Sequence, residues 1–127
     1  MQNRKRILLV DDDESVLFVL QHALSRSGQQ HELILCGNGR DALKLAEQPL
    51  DLVITDIRLP GLDGVALTEA LRARGQHMPV IWITAYGENA FIERVAELGV
   101  YRCLNKPVEV GEIRRISQEA LRADPGS

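Results

Sequence analysis

A chain of 127 residues has the length of one domain and can bury about two-thirds of its unfolded surface without staples. With 45% hydrophobic and 26% charged residues it is neither a disordered nor a fibrous sequence, and no apolar run reaches the length of a membrane span. A net charge of −3 leaves no basic footprint for nucleic acid, so direct nucleic-acid binding is not expected.

The N-terminus lacks the apolar stretch of a signal peptide, so a cytoplasmic location is expected. The two cysteines, Cys36 and Cys103, are far apart and outside C-x-x-C spacing. They read as small buried hydrophobes in a reducing compartment.

In chain order, a first strand is expected over residues 6–10, "RILLV". It runs into Asp11, Asp12, Asp13 and Glu14. A helix follows over 14–25, with Val16, Leu17, Leu20, Ala23 and Leu24 on one stripe and Gly28 placed to cap it. A second strand, 32–36, ends blandly in Cys36 and Gly37, and a helix over 40–47 stops before Pro49.

The third strand, 52–55, reads as fully buried, yet it delivers a charged Asp56 at its end. "RLPGLDG" then turns the chain into a helix over 65–74, closed by Gly75. Pro79 opens a fourth strand, 80–84, where its missing N–H costs least. This strand carries Trp82, a core residue by its mid-strand position, and ends in Thr84 and Ala85. A fourth helix over 89–98 places Phe91, Ile92, Val95, Ala96 and Leu98 on one stripe before Gly99. The fifth strand, 101–104, leads to Lys106 and Pro107, and a last helix spans 110–122. Residues 1–122 thus form one domain, and 123–127 read as a tail, the start of a linker or a cloning scar.

Short apolar strands alternating with amphipathic helices specify a parallel sheet covered on both faces. Right-handed crossovers make it a doubly wound α/β fold. In such folds ligands bind beyond the carboxyl ends of the strands. Those ends carry Asp11 to Glu14, Asp56, Thr84 with Ala85, and Lys106.

If the first and third strands are neighbours, at least three carboxylates share one pocket, and like charges at close range are costly. A hard divalent cation such as Mg²⁺ relieves the crowding, because it takes one or two carboxylates together with water and phosphate oxygens. Lys106 supplies a point charge for a phosphoryl oxygen, and Thr84 a hydroxyl donor. Asp56 is then a candidate nucleophile, since a carboxylate can form an acyl phosphate. Each residue alone reads as a solvated loop, cap or strand position. Their joint placement carries the argument. His22, His31 and His77 lack mutual spacing for a metal or a catalytic triad.

With "ILLVDDDES", "LVITDIRLPGLDG", "WITAYG" and "NKPV" in order, the chain resembles the receiver domain of two-component response regulators, from about residue 5 to 121. The resemblance implies a flavodoxin-like fold, five parallel strands in the order 2-1-3-4-5 with five helices. It implies that Asp56 accepts a phosphoryl group from a sensor histidine kinase or a phosphotransfer protein. It also implies that Mg²⁺ is bound by Asp12 directly, by Asp11 through water, by Asp56, and by the backbone carbonyl of Arg58. Thr84 and Lys106 take the hydroxyl and lysine roles, Ala85 is a further contact to the bound group, and Lys106–Pro107 is expected to be cis. By the same resemblance, an output domain C-terminal to this segment, or a dimer partner, engages the fourth helix, fifth strand and fifth helix. The product is a signalling switch and not an enzyme acting on other substrates.

The chain departs from the family pattern at Cys103, where an aromatic usually stands, and at Arg102, where an acid does. Tyr86 is expected to take part of the missing aromatic's gating role, and Tyr101 lies on the same strand face but displaced by roughly 6 to 7 Å. Arg58 is expected at the pocket opening, paired with Glu88 or an acid of the first cluster. Two other readings stand beside this one. A haloacid-dehalogenase-like phosphatase wants a second aspartate two residues after its nucleophile, where Arg58 stands. A pseudo-receiver would act as an interaction module without phosphate.

Overall fold

The computed structural model describes residues 4–25, 31–85 and 92–122. Among them, five strands and five helices alternate: β1 (Lys5–Val10), α1 (Glu14–Ser25), β2 (His31–Cys36), α2 (Gly39–Leu45), β3 (Leu52–Asp56), α3 (Gly64–Ala73), β4 (Val80–Thr84), α4 (Ile92–Leu98), β5 (Arg102–Asn105) and α5 (Val110–Arg122). The strands form one parallel sheet in the order β2-β1-β3-β4-β5.

The sheet is doubly wound, and its side chains divide by strict alternation. Leu8, Val10, Val53, Val80 and Trp82 face one core, filled by Ala42 of α2 and Leu67 and Leu71 of α3, with Val95 and Leu98 of α4 packed against it. Ile7, Leu9, Ile54, Ile81 and Ile83 face the other, with Leu20, Ala23 and Leu24 of α1 and Ile113, Ile116 and Ala120 of α5. β3 and β4 are buried along their whole length. That is why their sequences are continuous apolar runs rather than alternating ones. Each large side chain so buried contributes roughly 1.5–3 kcal/mol.

The edge strands are less buried than the central ones. β2 is only half-buried, with Leu35 exposed, and β5 buries Leu104 alone. β5 also begins one residue later than expected. Tyr101 precedes it and packs against the α1/α5 core, while Cys103 lies level with Trp82 of the opposite core. Tyr101 and Cys103 therefore do not share a face, because the strand alternation starts only at Arg102. The two cysteines are not the buried hydrophobes expected from sequence. Both are free, Cys36 is half-buried, and Cys103 is exposed on the outermost strand. On α4, Val95 and Leu98 face the core as expected, whereas Ala96 is exposed. Gly28, Phe91 and the expected helical start at 89 lie outside the described residues.

Helix ends are closed by local chemistry. Asp13 Oδ1 accepts from the Ser15 backbone N–H and hydroxyl at 2.9 and 2.6 Å at the start of α1. Asn38 caps α2 through Asp41 N–H, and Asp63 caps α3 through Ala66 N–H, each at 2.8 Å. Gly75 and Gly99 take φ of 81° and 65° just past α3 and α4, as their positions require.

Two sets of polar contacts join α3 to α4. The Arg72 guanidinium donates to the carbonyls of Leu98 (2.7 Å), Gln76 (2.9 Å), Met78 (2.9 Å) and Gly99 (3.2 Å). Arg94 of α4 pairs in turn with Glu69 of α3 and with Glu97.

Candidate functional site

The parallel register brings the carboxyl ends of β1, β3, β4 and β5 to one edge of the sheet. Because β1 lies beside β3, Val10 is level with Thr55, and the residues that follow them, Asp11 and Asp56, are neighbours. Asp56 is level with Ile83, and Thr84 is one step further along β4, level with Asn105. Lys106 leaves β5 next to this edge, and its N–H donates to the Thr84 carbonyl at 2.8 Å.

The structure unites four of the residues expected from sequence. Carboxylate oxygens of Asp11, Asp12 and Asp56 lie within 4.8 Å of one another. Asp56 is 5% exposed, with Oδ1 accepting from the Arg58 N–H at 3.0 Å and Oδ2 accepting from Lys106 Nζ at 2.7 Å. The carboxylate is thus aimed by one main-chain and one ammonium donor. Asp11 is fully buried. Its Oδ1 accepts from Asp13 N–H at 2.8 Å, while Oδ2 completes no hydrogen bond, although Lys106 Nζ stands 3.4 Å away.

These environments perturb the charges. Burial lifts the Asp11 pKa to about 6 from 3.8, against the opposing Asp13 N–H bond, and the nearby Asp56 charge adds to the rise. Burial pulls the Lys106 ammonium downward, but its bond to Asp56 and the charges of Asp11 and Asp56 outweigh that, and its pKa is raised. Asp13 lies outside this pair. Its carboxyl is held below the usual range by the Ser15 hydroxyl and N–H, in keeping with its capping role.

The acidic set fits a hard divalent cation. Three carboxylates with oxygens in reach of one another, one of them buried with an unsatisfied oxygen, constitute an oxygen donor set short of positive charge.

Thr84 is buried at the end of β4, its hydroxyl 3.3 Å from the Ala85 carbonyl, and Ala85 is exposed beside it. The Lys106–Pro107 bond is cis. Arg58 is exposed, and its main-chain N–H donates to the Asp56 carboxylate. Tyr86, and Glu88 as the suggested partner of Arg58, lie outside the described residues. Cys103 is not part of the cluster.

Sequence reasoning missed the residues that hold the Asp56 loop. Gly64, the first residue of α3, donates its N–H to the Ile57 carbonyl at 2.8 Å and lies against the Asp56 main chain. Thr68 is buried one turn later, its hydroxyl donating to the Gly64 carbonyl at 2.8 Å and accepting from Trp82 Nε1 at 2.9 Å. The signal for Gly64 was present as "DG", a capping residue followed by one with no side chain.

A groove of about 470 Å³ opens next to Lys106, lined by Ser15, Val16 and Val19 of α1 and by Lys106, Pro107 and Val108. On the same helix Phe18 is 69% exposed and stacks on His22 at 6.4 Å.

The model of the response regulator receiver domain matches residues 7–118. The chain is 36% identical over 119 residues to the alkaline phosphatase synthesis transcriptional regulatory protein PhoP of Bacillus subtilis, covering 93% of this chain and 49% of that protein. It is 35% identical to sporulation initiation phosphotransferase F of the same organism, covering 90% of each. The chain therefore spans about half of the first relative and nearly all of the second. Among solved structures, the signal receiver domain of an HD domain-containing protein from Pseudomonas fluorescens Pf-5 superposes with a TM-score of 0.83 at 30% identity, covering 94% of this chain and 95% of that one.

Proposed function

The chain belongs to the response regulator receiver domain family, and from that premise we propose that Asp56 is the phosphoacceptor of a two-component signalling switch. The observation that carries the reading is the Asp56 carboxylate itself, fixed by Arg58 N–H and Lys106 beside two further acids at the open edge of the sheet.

In this reading a phosphohistidine on a sensor kinase or phosphotransfer protein is the donor. An Asp56 oxygen attacks phosphorus. The new P–O bond forms as the P–N bond breaks, and the departing imidazole keeps the electron pair. Lys106 stays protonated, because the two carboxylates hold its pKa up, and its charge moves with the developing phosphoryl oxygens. The Thr84 hydroxyl and the main chain at Ala85 offer further contacts to that group. Asp11, Asp12, Asp56 and the Arg58 carbonyl would hold Mg²⁺, which would supply the positive charge that the acidic cluster and the phosphoryl group both lack.

The groove beside Lys106 and the exposed Phe18 give a donor protein a surface within reach of Asp56. The acyl phosphate changes what Lys106 and Thr84 bind, and so biases a pre-existing equilibrium of the face made by α4, β5 and α5. That face, which carries the Arg102–Glu119 and Arg115–Glu119 pairs, engages an output domain or a dimer partner.

The test is labelling with acetyl phosphate and Mg²⁺, read by intact mass. One phosphoryl group is expected on the wild type, with none on Asp56→Asn and none after chelation of the metal. A wild type that fails to label would leave an interaction module that works without phosphate.

A further inference from the structure

Trp82 is the only tryptophan of the chain, is fully buried, and lies level with Cys103 across the β4–β5 ladder. A buried indole N–H needs an acceptor. It finds one in Thr68 Oγ1 at 2.9 Å. The direction of that bond is set, because the single hydroxyl proton of Thr68 is committed to the Gly64 carbonyl at 2.8 Å. Gly64 in turn donates to Ile57 and approaches Asp56 so closely that a Cβ on it would meet the Asp56 carbonyl oxygen at 2.2 Å. An unbroken series of contacts thus runs from the Asp56 main chain through the first turn of α3 to Trp82. Trp82 belongs to the core on which Val95 and Leu98 of α4 rest.

Two features set this series apart from ordinary packing. It has no slack: every link is a hydrogen bond of 2.9 Å or less or a backbone approach without room for a methyl group. It also ends on the face where β5 presents no large side chain, since Cys103 is small and exposed.

We propose that Thr68 is a positioning residue which, through its bonds to Gly64 and Trp82, couples the state of Asp56 to the β4–α4 face. The proposal rests on the phosphoacceptor reading of Asp56. When Asp56 is modified and its main chain adjusts, Gly64 must move with it, and Thr68 transmits that movement to the indole.

The test uses beryllofluoride with Mg²⁺ as the probe, with fluorine NMR reporting its binding. Trp82 fluorescence and amide exchange over residues 92–98 report the response. In the wild type, binding is expected to bring a saturable change in both. Thr68→Val keeps the shape but removes the hydroxyl. It should still bind beryllofluoride, about three- to tenfold more weakly by reciprocal coupling, and lose the exchange response. Thr68→Ser, which keeps the hydroxyl, should restore it. Trp82→Phe, which keeps an aromatic but no N–H, should lose the exchange response as well and carries the test if Thr68→Val fails to fold. A full exchange response in Thr68→Val or Trp82→Phe with beryllofluoride bound overturns the coupling alone. No bound beryllofluoride in the wild type overturns the phosphoacceptor reading and the coupling with it.

Discussion

Gly64 and Asp56 touch through their backbones. A Cβ built on Gly64 would lie 2.2 Å from the Asp56 carbonyl oxygen and 2.9 Å from the Ile57 Cα. Neither neighbour is the end of a flexible side chain, so a methyl group there must displace either α3 or the strand end that bears Asp56. Gly64→Ala is expected to cost about 1–3 kcal/mol in urea unfolding, the range for overpacking a core site. Its acetyl phosphate labelling rate should fall with it. A variant of wild-type stability and rate would show that the loop yields without consequence.

Asp11 makes the metal-free protein sensitive to pH. Folding raises its pKa from 3.8 to about 6, so the folded chain holds a proton that the unfolded chain has released between those values. Stability from this source is complete below pH 3.8 and is lost as the pH rises through 6. At pH 7 the buried charge then costs about 3 kcal/mol, at 1.4 kcal/mol per pKa unit. Asp11→Asn is expected to raise the Tm of the metal-free protein at pH 7 by several degrees, to leave it little changed near pH 4, and to weaken Mg²⁺ binding. Equal Tm gains at both pH values would contradict the assignment.

Lys106 and a divalent cation answer the same charge imbalance. With Nζ 2.7 Å from Asp56 and 3.4 Å from Asp11, the ammonium partly neutralises the acids that would hold the metal. Lys106→Ala is therefore expected to bind Mg²⁺ about three- to tenfold more tightly and beryllofluoride more weakly. Calorimetric titration with each ligand checks this, and opposite signs are the required result.

Arg72 serves four carbonyls from one guanidinium. Arg72→Met should destabilise by about 2–4 kcal/mol, since it strips donors from partly buried acceptors. Arg72→Lys should recover little, because an ammonium lacks the planar fork that reaches acceptors on both sides. Urea midpoints of the two variants decide it.

How far the sequence revealed this molecule depended on the kind of signal. β4, α1 and α5 fall where their apolar periodicity puts them. Asp11, Asp12, Asp56 and Lys106 converge because the strand order sets their strand ends side by side. Edge strands were harder to read. Leu33, Leu35 and Cys103 are as apolar as central-strand residues, and only the sheet order reveals that less packs over them. Gly64 is signalled locally by "DG", but Thr68 and Arg72 act through partners distant in sequence, and no local pattern encodes those. The threonine at 68 looks like any polar residue on a helix until Trp82 is found beneath it.

The guanidinium of Arg72 also dictates how α4 can travel. It grips the carbonyls of Leu98 and Gly99 from a neighbouring helix, so the last turn of α4 is a fixed end. The other tie to α3, the half-exposed Arg94–Glu69 pair nearer Ile92, is weak by comparison, so the helix swings about its last turn and does not slide. Over the seven residues of Ile92–Leu98, about 10 Å of axis, displacement grows linearly from that anchor. A tilt of roughly 15° about Leu98 would carry the Ile92 end between 2 and 3 Å and leave Gly99 where it was. The helix is in this sense a lever, with its fulcrum on α3 and its longest throw at the end nearer the carboxyl edge of β4.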